Sequence, residues 1–537
     1  MDNNQDQNLT KLAKGGSISA ISNSFDVISR MFTGVFITRL FNSAATFGLF
    51  ELAYRFVFFI RILAVPGTNE GIRRFMPIYR ADKDRPAEKG LLLYSLRITT
   101  VLSVAVMGAV MIFAPAIARA FNKPGAAGFI RVLALAIPLF AFLMITTAAL
   151  TGIHRVKYQA FTQRMVLPGF RAIALLLALL YITDQRVRNL AVIWSFPFAF
   201  VIATSIAVYF YIKNFPVLRN KKVKPEYHIK DFYKFSLPLA ASQPIGYLMN
   251  YIGTFIIAFY LTKEDIGQYG IVTRLSPLMI VPLQSAILAF VPMISELHHL
   301  GKIDELRSHF KFISKWIFAF SLFIFITFIL LSKPILTVFG QEYSNVLTQR
   351  TLVVVLLAQL FNASAGPVGM LISMTGRPRI NMYNTFAMLI LNTILCYIFV
   401  PRTGLLGGII GAGIAQALAV IGINTLFLLQ TRKYLKMHPF SLGYLKPILV
   451  AILSAAIAFG IIHLTGFNDY WENIELKELF TNDGLLLIGS IFLFAFILGI
   501  FFAAFTYLLG LDEEDKFVLR KMFSKIKQLG ARQSKNE

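Results

Sequence analysis

Charged and amide side chains stand inside apolar runs of this sequence, at spacings that place them on shared helix faces. Asn23, Asp26 and Arg30 are three and four residues apart, so a helix carries all three on one side. Glu51, Arg55 and Arg61 follow within a second apolar run, and Arg274 lies in a much later one. Gln243 and Asn250 are seven apart, two turns of one face. A charge inside an apolar segment is costly unless paired or hydrated, and it usually faces a cavity. Arginine suits an anion there, because its planar fork meets two oxygens of a phosphate or carboxylate at once. Arg30, Arg55, Arg61 and Arg274, with the amides of Asn23, Gln243 and Asn250, therefore read as candidate binding residues for an anionic substrate. Asp26 reads as a candidate ion-coupling carboxylate, the usual proton or sodium relay within a membrane. A structural reading carries similar weight. Asp26 with Arg30 and Glu51 with Arg55 are each at i, i+4, the spacing of a helical ion pair. That would leave Arg61 and Arg274 with no obvious local partner, and Arg61 could instead snorkel to a membrane interface.

No catalytic signature accompanies these residues. There is no P-loop, and GTNEGIRR lacks the glycine spacing of a dinucleotide loop. The one cysteine, Cys396, can form neither an intrachain disulfide nor a cysteine-rich metal site. The seven histidines show no H-x-x-H or H-x-x-x-H pattern. The expectation is a non-enzyme without metal or cofactor.

The elements that position the charges are long apolar segments. Of 537 residues 56% are hydrophobic, yet the net charge is +25. A helix needs about 20 apolar residues to cross the hydrocarbon core, and about 14 such segments are present. They fall near 17–38, 47–66, 91–115, 129–151, 165–183, 190–212, 235–260, 269–291, 312–332, 349–374, 382–400, 407–428, 446–465 and 484–509. In lipid the backbone must satisfy its own hydrogen bonds, which makes the chain an all-α polytopic membrane protein. Such basicity could suggest nucleic acid, but the even-numbered loops hold about 25 basic residues and the odd-numbered about 9, the positive-inside pattern. The even loops and both termini are thereby expected in the cytoplasm of a cell inner membrane protein, and no nucleic acid is expected. The polar start, MDNNQDQNLTKLAKGG, does not look like a cleaved signal peptide. The tail at 511–537 reads as a basic amphipathic helix on the inner surface or as a solvated basic tail.

The two halves resemble each other. ITRLFNSAATFGLFELAYR sets against IIAFYLTKEDIGQYGIVTR, pairing Gly48 with Gly267 and Arg55 with Arg274 at one offset. RRFMPIYR sets against LAFVPMIS, and TGIHRVKYQAF against TGRPRINMYNTF. Each repeat contains six spans, an even number, so the repeats share one orientation about an axis along the membrane normal. The expected organisation is a six-helix lobe at 1–215, a second at 230–435, two further helices at 446–510 and the tail. Two lobes facing each other enclose a cleft, which the charged spans 1, 2, 7 and 8 would line. Pro238, Pro244, Pro277 and Pro282 in spans 7 and 8 provide either a hinge or a static kink. Gly407 and Gly411 form a GxxxG, for which close helix packing suffices.

With the TRLFNSAATFGLFELAYR segment after the first span and PRTGLLGGIIGAGIAQALA at spans 11–12, the chain resembles the oligosaccharide flippases of the multidrug/oligosaccharidyl-lipid/polysaccharide exporter superfamily. The resemblance covers nearly the whole chain. It implies a V-shaped pair of lobes and movement of undecaprenyl-diphosphate-linked sugar units to the outer leaflet by alternating access. It also implies membrane lipid and polysaccharide assembly proteins as partners. The alternatives are a multidrug exporter or a lipid II flippase of the same superfamily. The basic motif of the lipid II branch at the end of span 2 is not matched by RIL at 61–63. From another class comes a membrane polysaccharide polymerase, which would need a larger outer loop, or a non-transporting scaffold.

Overall fold

The computed structural model describes residues 22–23, 25–467, 470–471 and 479–509. The polar start at 1–21, the centre of the acidic loop and the tail at 511–537 lie outside them, as do the side chains of Pro238 and Pro292. The described residues contain no strand.

Among the described residues eleven helices are long and apolar enough to cross a membrane, and they coincide with eleven of the expected spans. The other three, spans 1, 2 and 7, coincide with helices that do not meet that measure. These are α1 (25–41), α2 (Ala44–Ile60) and a long helix over Ile229–Tyr260, here α10. They are also three of the four spans that carry the charges discussed above. A helix that faces a hydrated cavity need not be apolar all round. Eleven is thus what length and composition establish; fourteen remains the sequence expectation.

Span 2 is not one helix. α2 ends in a 3-10 turn over Arg61–Ala64, and α3 starts again at Thr68 and runs to Ala81. The cause is local. Pro66 biases Val65 away from helical geometry, and Gly67 takes a left-handed φ of 74°. A Cβ at Gly67 would also stand 2.3 Å from the Ser236 carbonyl oxygen. Span 8 breaks in a similar place. Helix Lys263–Leu275 (here α11) passes into a 3-10 turn over Ser276–Ile280 and continues as Val281–His299 (α12). Pro277 and Pro282 open those two pieces. Span 5 carries a third irregularity, a π-helical stretch over Ala160–Val166 before helix Leu167–Tyr181 (α8). Pro168 has no N–H to give the Arg164 carbonyl, so the regular ladder fails there.

Helices before residue 215 pack mainly among themselves, as do those after 229. The main crossing between the halves is α2 against α11. Helices Leu445–Leu464 (α19) and Asn482–Leu508 (α20) pack on each other and on Ile303–Leu330 (α13).

A candidate anion-binding cavity

A cavity of about 620 Å³ lies between the halves. α1, α2, α8, α10 and the α11–α12 break all contribute to its wall. The irregular backbone at 61–64, 160–166 and 276–280 borders it, as expected where non-helical backbone is tolerated at membrane depth.

Six arginines line it: Arg30, Arg55, Arg61, Arg164, Arg171 and Arg274. Asn23 and Asp26 line it as well. Both i, i+4 pairs form. Arg30 Nη2 stands 2.8 Å from Asp26 Oδ2, and Arg55 donates to Glu51 Oε1 at 2.6 Å. Arg274 is not left without a partner. Its Nη2 donates to Glu51 Oε2 at 2.5 Å, across the interface between the halves. One fully buried carboxylate therefore serves two arginines, and those two are equivalents in the sequence repeat. Gly270, the counterpart of Glu51, makes this possible: a Cβ there would already stand 3.0 Å from Glu51 Cγ.

Arg61 turns into the cavity. Its guanidinium carbon lies 3.6 Å from the Phe58 ring centroid and 3.8 Å from that of Phe140. Arg171, which the sequence reading misses, lies 4.5 Å from the centroid of Phe196. Arg164 reads from the sequence only as a loop cation. Inside or beside a span, both carry a usable signal, because an arginine there is expensive to bury.

Gln243 and Asn250 are exposed and do not line the cavity. Asn250 Nδ2 donates instead to the Gly246 carbonyl of its own helix at 2.8 Å. Tyr247 and Tyr251 of the same helix line the cavity, so the helix is turned with the two amides at the edge of the inward face. Tyr247 bonds the Arg55 carbonyl oxygen at 3.0 Å, and Tyr251 lies 3.9 Å below the Arg55 guanidinium.

The α2–α11 crossing closes one end of the cavity. A Cβ on Gly48 would stand 1.8 Å from the Lys263 carbonyl oxygen, so only glycine allows this approach. The same end holds further bonds between the halves. Arg39 Nε donates to the Val338 carbonyl at 2.9 Å, and the Ala44 N–H donates to Glu342 Oε2 at 2.5 Å. Among the described residues no group of His, Cys, Asp and Glu could hold a metal ion.

This is the architecture of an all-helical transporter with a basic central cavity. The family model described as "Polysaccharide biosynthesis protein" matches residues 12–298, more than half of the chain, and the chain belongs to that family. The MatE model matches 238–398. No curated protein sequence matches. Among solved structures, "Lipid II flippase MurJ, inward closed conformation" superposes with a TM-score of 0.66 at 17% identity, covering 91% of this chain and 98% of that one. An inward-facing multidrug resistance MATE family transporter of the MOP superfamily gives 0.64 at 14% identity, over 76% and 94%. A MOP superfamily transporter from Pyrococcus furiosus, described as having a binding pocket of reverse polarity, gives 0.56 at 16%, over 79% and 95%. At these identities the likeness is one of fold. Family and fold together place the chain in the multidrug/oligosaccharidyl-lipid/polysaccharide exporter superfamily.

Proposed function

We propose that this protein is a flippase that moves undecaprenyl-diphosphate-linked oligosaccharide units across the cytoplasmic membrane for polysaccharide biosynthesis. The observation that carries the reading is the charge of the cavity. Among the described residues six arginines line it, whereas the carboxylates at hand are Asp26 and Glu51, both engaged in ion pairs. An organic cation would be repelled there, and a diphosphate would be drawn in. The lobes at 1–215 and 230–435 would rock about the α2–α11 crossing, while the polyprenyl tail stays in the bilayer. The basic loops would face the cytoplasm, which puts the closed end of the cavity on the outside. Assembly proteins on the outer face would receive the sugar.

The test is transfer in vesicles. Purified protein in liposomes should move a fluorescent undecaprenyl-diphosphate oligosaccharide from one leaflet to the other, scored by accessibility to an impermeant quencher. Organic-cation drugs should neither be transported nor compete. Cation transport without movement of the lipid-linked sugar would replace this reading with the drug exporter.

A further inference from the structure

The arginines of the cavity are not equivalent. Arg55 and Arg274 are neutralised by Glu51, and Arg30 is paired with Asp26. Arg61 and Arg171 are different. Neither forms an ion pair among the described residues, which is true of Arg164 as well, but unlike Arg164 each has its Nε buried without a hydrogen-bond partner, as the ion-paired Arg274 also has. Arg171 is 7% exposed. What surrounds them is aromatic: Phe58 and Phe140 at Arg61, Phe196 at Arg171. An aromatic face holds a guanidinium by its quadrupole but accepts no ordinary hydrogen bond from it. A buried and a half-buried guanidinium, each with an unsatisfied Nε–H and no counter-charge, are a costly arrangement for the protein alone. The same arrangement is a prepared site for an oxyanion, which supplies both the charge and the acceptors.

We infer that Arg61 and Arg171 form the oxyanion subsite of the cavity, on the wall built by the first half of the chain, and that the Glu51-bound arginines are not the first to receive the substrate. The ligand is a phosphate or carboxylate group held in plane by guanidinium N–H donors. Its source is either the diphosphate of the lipid carrier or an acidic sugar of the cargo. This rests on the flippase reading above.

Binding to the full-length protein in nanodiscs tests it, with undecaprenyl diphosphate and a glucuronate-containing trisaccharide as separate probes. Arg61→Gln and Arg171→Gln should each weaken binding at least tenfold for one probe. Loss on the lipid identifies the phosphate as the ligand, and loss on the trisaccharide alone identifies the sugar acid. Arg61→Lys and Arg171→Lys should bind with intermediate affinity, because they keep the charge and lose the fork. Melting of the ligand-free protein separates binding from structure. Removing an unpaired buried cation should leave the melting temperature of Arg171→Gln unchanged or raised. Wild-type affinity of both Gln variants for both probes would overturn the subsite, as would a lowered melting temperature with full ligand-induced stabilisation. Failure of the wild type to bind undecaprenyl diphosphate, with trisaccharide binding still lost in the variants, would overturn the lipid-carrier reading and keep the subsite.

Discussion

Gly48 and Gly267, counterparts in the sequence repeat, pack reciprocally: a Cβ on the first would meet the Lys263 carbonyl oxygen at 1.8 Å, and one on the second that of Ala44 at 2.4 Å. Each helix therefore approaches the other's backbone at the point where the other lacks a side chain. The crossing is the tightest contact between the halves that a single methyl group could disturb. It also lies at the end of the cavity that must open if substrate is to leave there.

Gly48→Ala should part the crossing. Overpacking of a close contact costs about 1–3 kcal/mol, and about 1.4 kcal/mol is tenfold in an equilibrium. The expected result is a shift toward a state open at this end. Spin labels at Asn42 and Lys263 should report a longer distance population by double electron–electron resonance. Gly108→Ala is the control, because nothing lies within 4 Å of a Cβ there. Identical distance distributions in Gly48→Ala and wild type would exclude the crossing as a gate.

A second prediction concerns Glu51. Its carboxylate holds Arg55 on its own helix and Arg274 on the opposite half. Breaking a buried pair by removing one member typically costs about 3–5 kcal/mol, because a charge is left uncompensated. Glu51→Gln leaves two arginines facing each other and should lower the melting temperature strongly. Arg274→Gln leaves the Glu51–Arg55 pair intact, so its stability cost should be smaller. It removes the Glu51–Arg274 ion pair between the halves, however, and should abolish transport at normal protein level. The double variant Glu51→Gln with Arg274→Gln should be more stable than Glu51→Gln alone. Additive losses in the double variant would show that the two side chains do not act on each other.

Local spacing makes part of this site legible. The i, i+4 rule identifies both helical pairs, because a helix fixes which side chains meet within one element. The partner of Arg274 cannot be read in that way. Glu51 lies 223 residues earlier, and only the α2–α11 crossing brings the two together. Spans 3–6 and 8–14 are readable because an apolar run of that length suits a membrane-crossing helix and little else. The break at 61–67 is written in Pro66 and Gly67 but is hidden by the long apolar run around it. Gln243 and Asn250 show the opposite error. Period 3.6 says which residues share a face, but not which edge of that face turns inward. On the cavity side the Tyr251 ring lies against the Arg55 guanidinium and the Tyr247 hydroxyl reaches the Arg55 carbonyl, while both side chains stay partly wetted.

Glu342 offers a graded version of the first prediction. Its carboxylate accepts the Ala44 N–H at the start of α2, joining the two halves at the closed end. A carboxylate at a helix N-terminus is worth about 0.3–1 kcal/mol at exposed sites. Glu342→Gln should therefore move the same label distances in the same direction as Gly48→Ala, but by a smaller population change. A larger change than Gly48→Ala would mean that the polar bonds, and not the backbone crossing, hold this end closed.

The last prediction separates the two roles open to Asp26. The pair with Arg30 is real, at 2.8 Å, but the two members differ in exposure. The Arg30 side chain is 68% exposed and that of Asp26 16%. An ion pair this open contributes about 0–1 kcal/mol, so neutralising it should cost little stability. If Asp26 couples transport to a cation, Asp26→Asn should abolish gradient-driven transport in vesicles while undecaprenyl diphosphate still binds. If Asp26 only balances Arg30, the exchange Asp26→Arg with Arg30→Asp should restore much of the activity lost in Asp26→Asn. The exchange keeps the pair and the net charge but moves the carboxylate one helical turn, away from wherever a transported ion would meet it. Rescue by exchange would therefore assign the pair a structural role. Failure of the exchange, together with lost gradient dependence in Asp26→Asn, would assign the coupling role to that carboxylate.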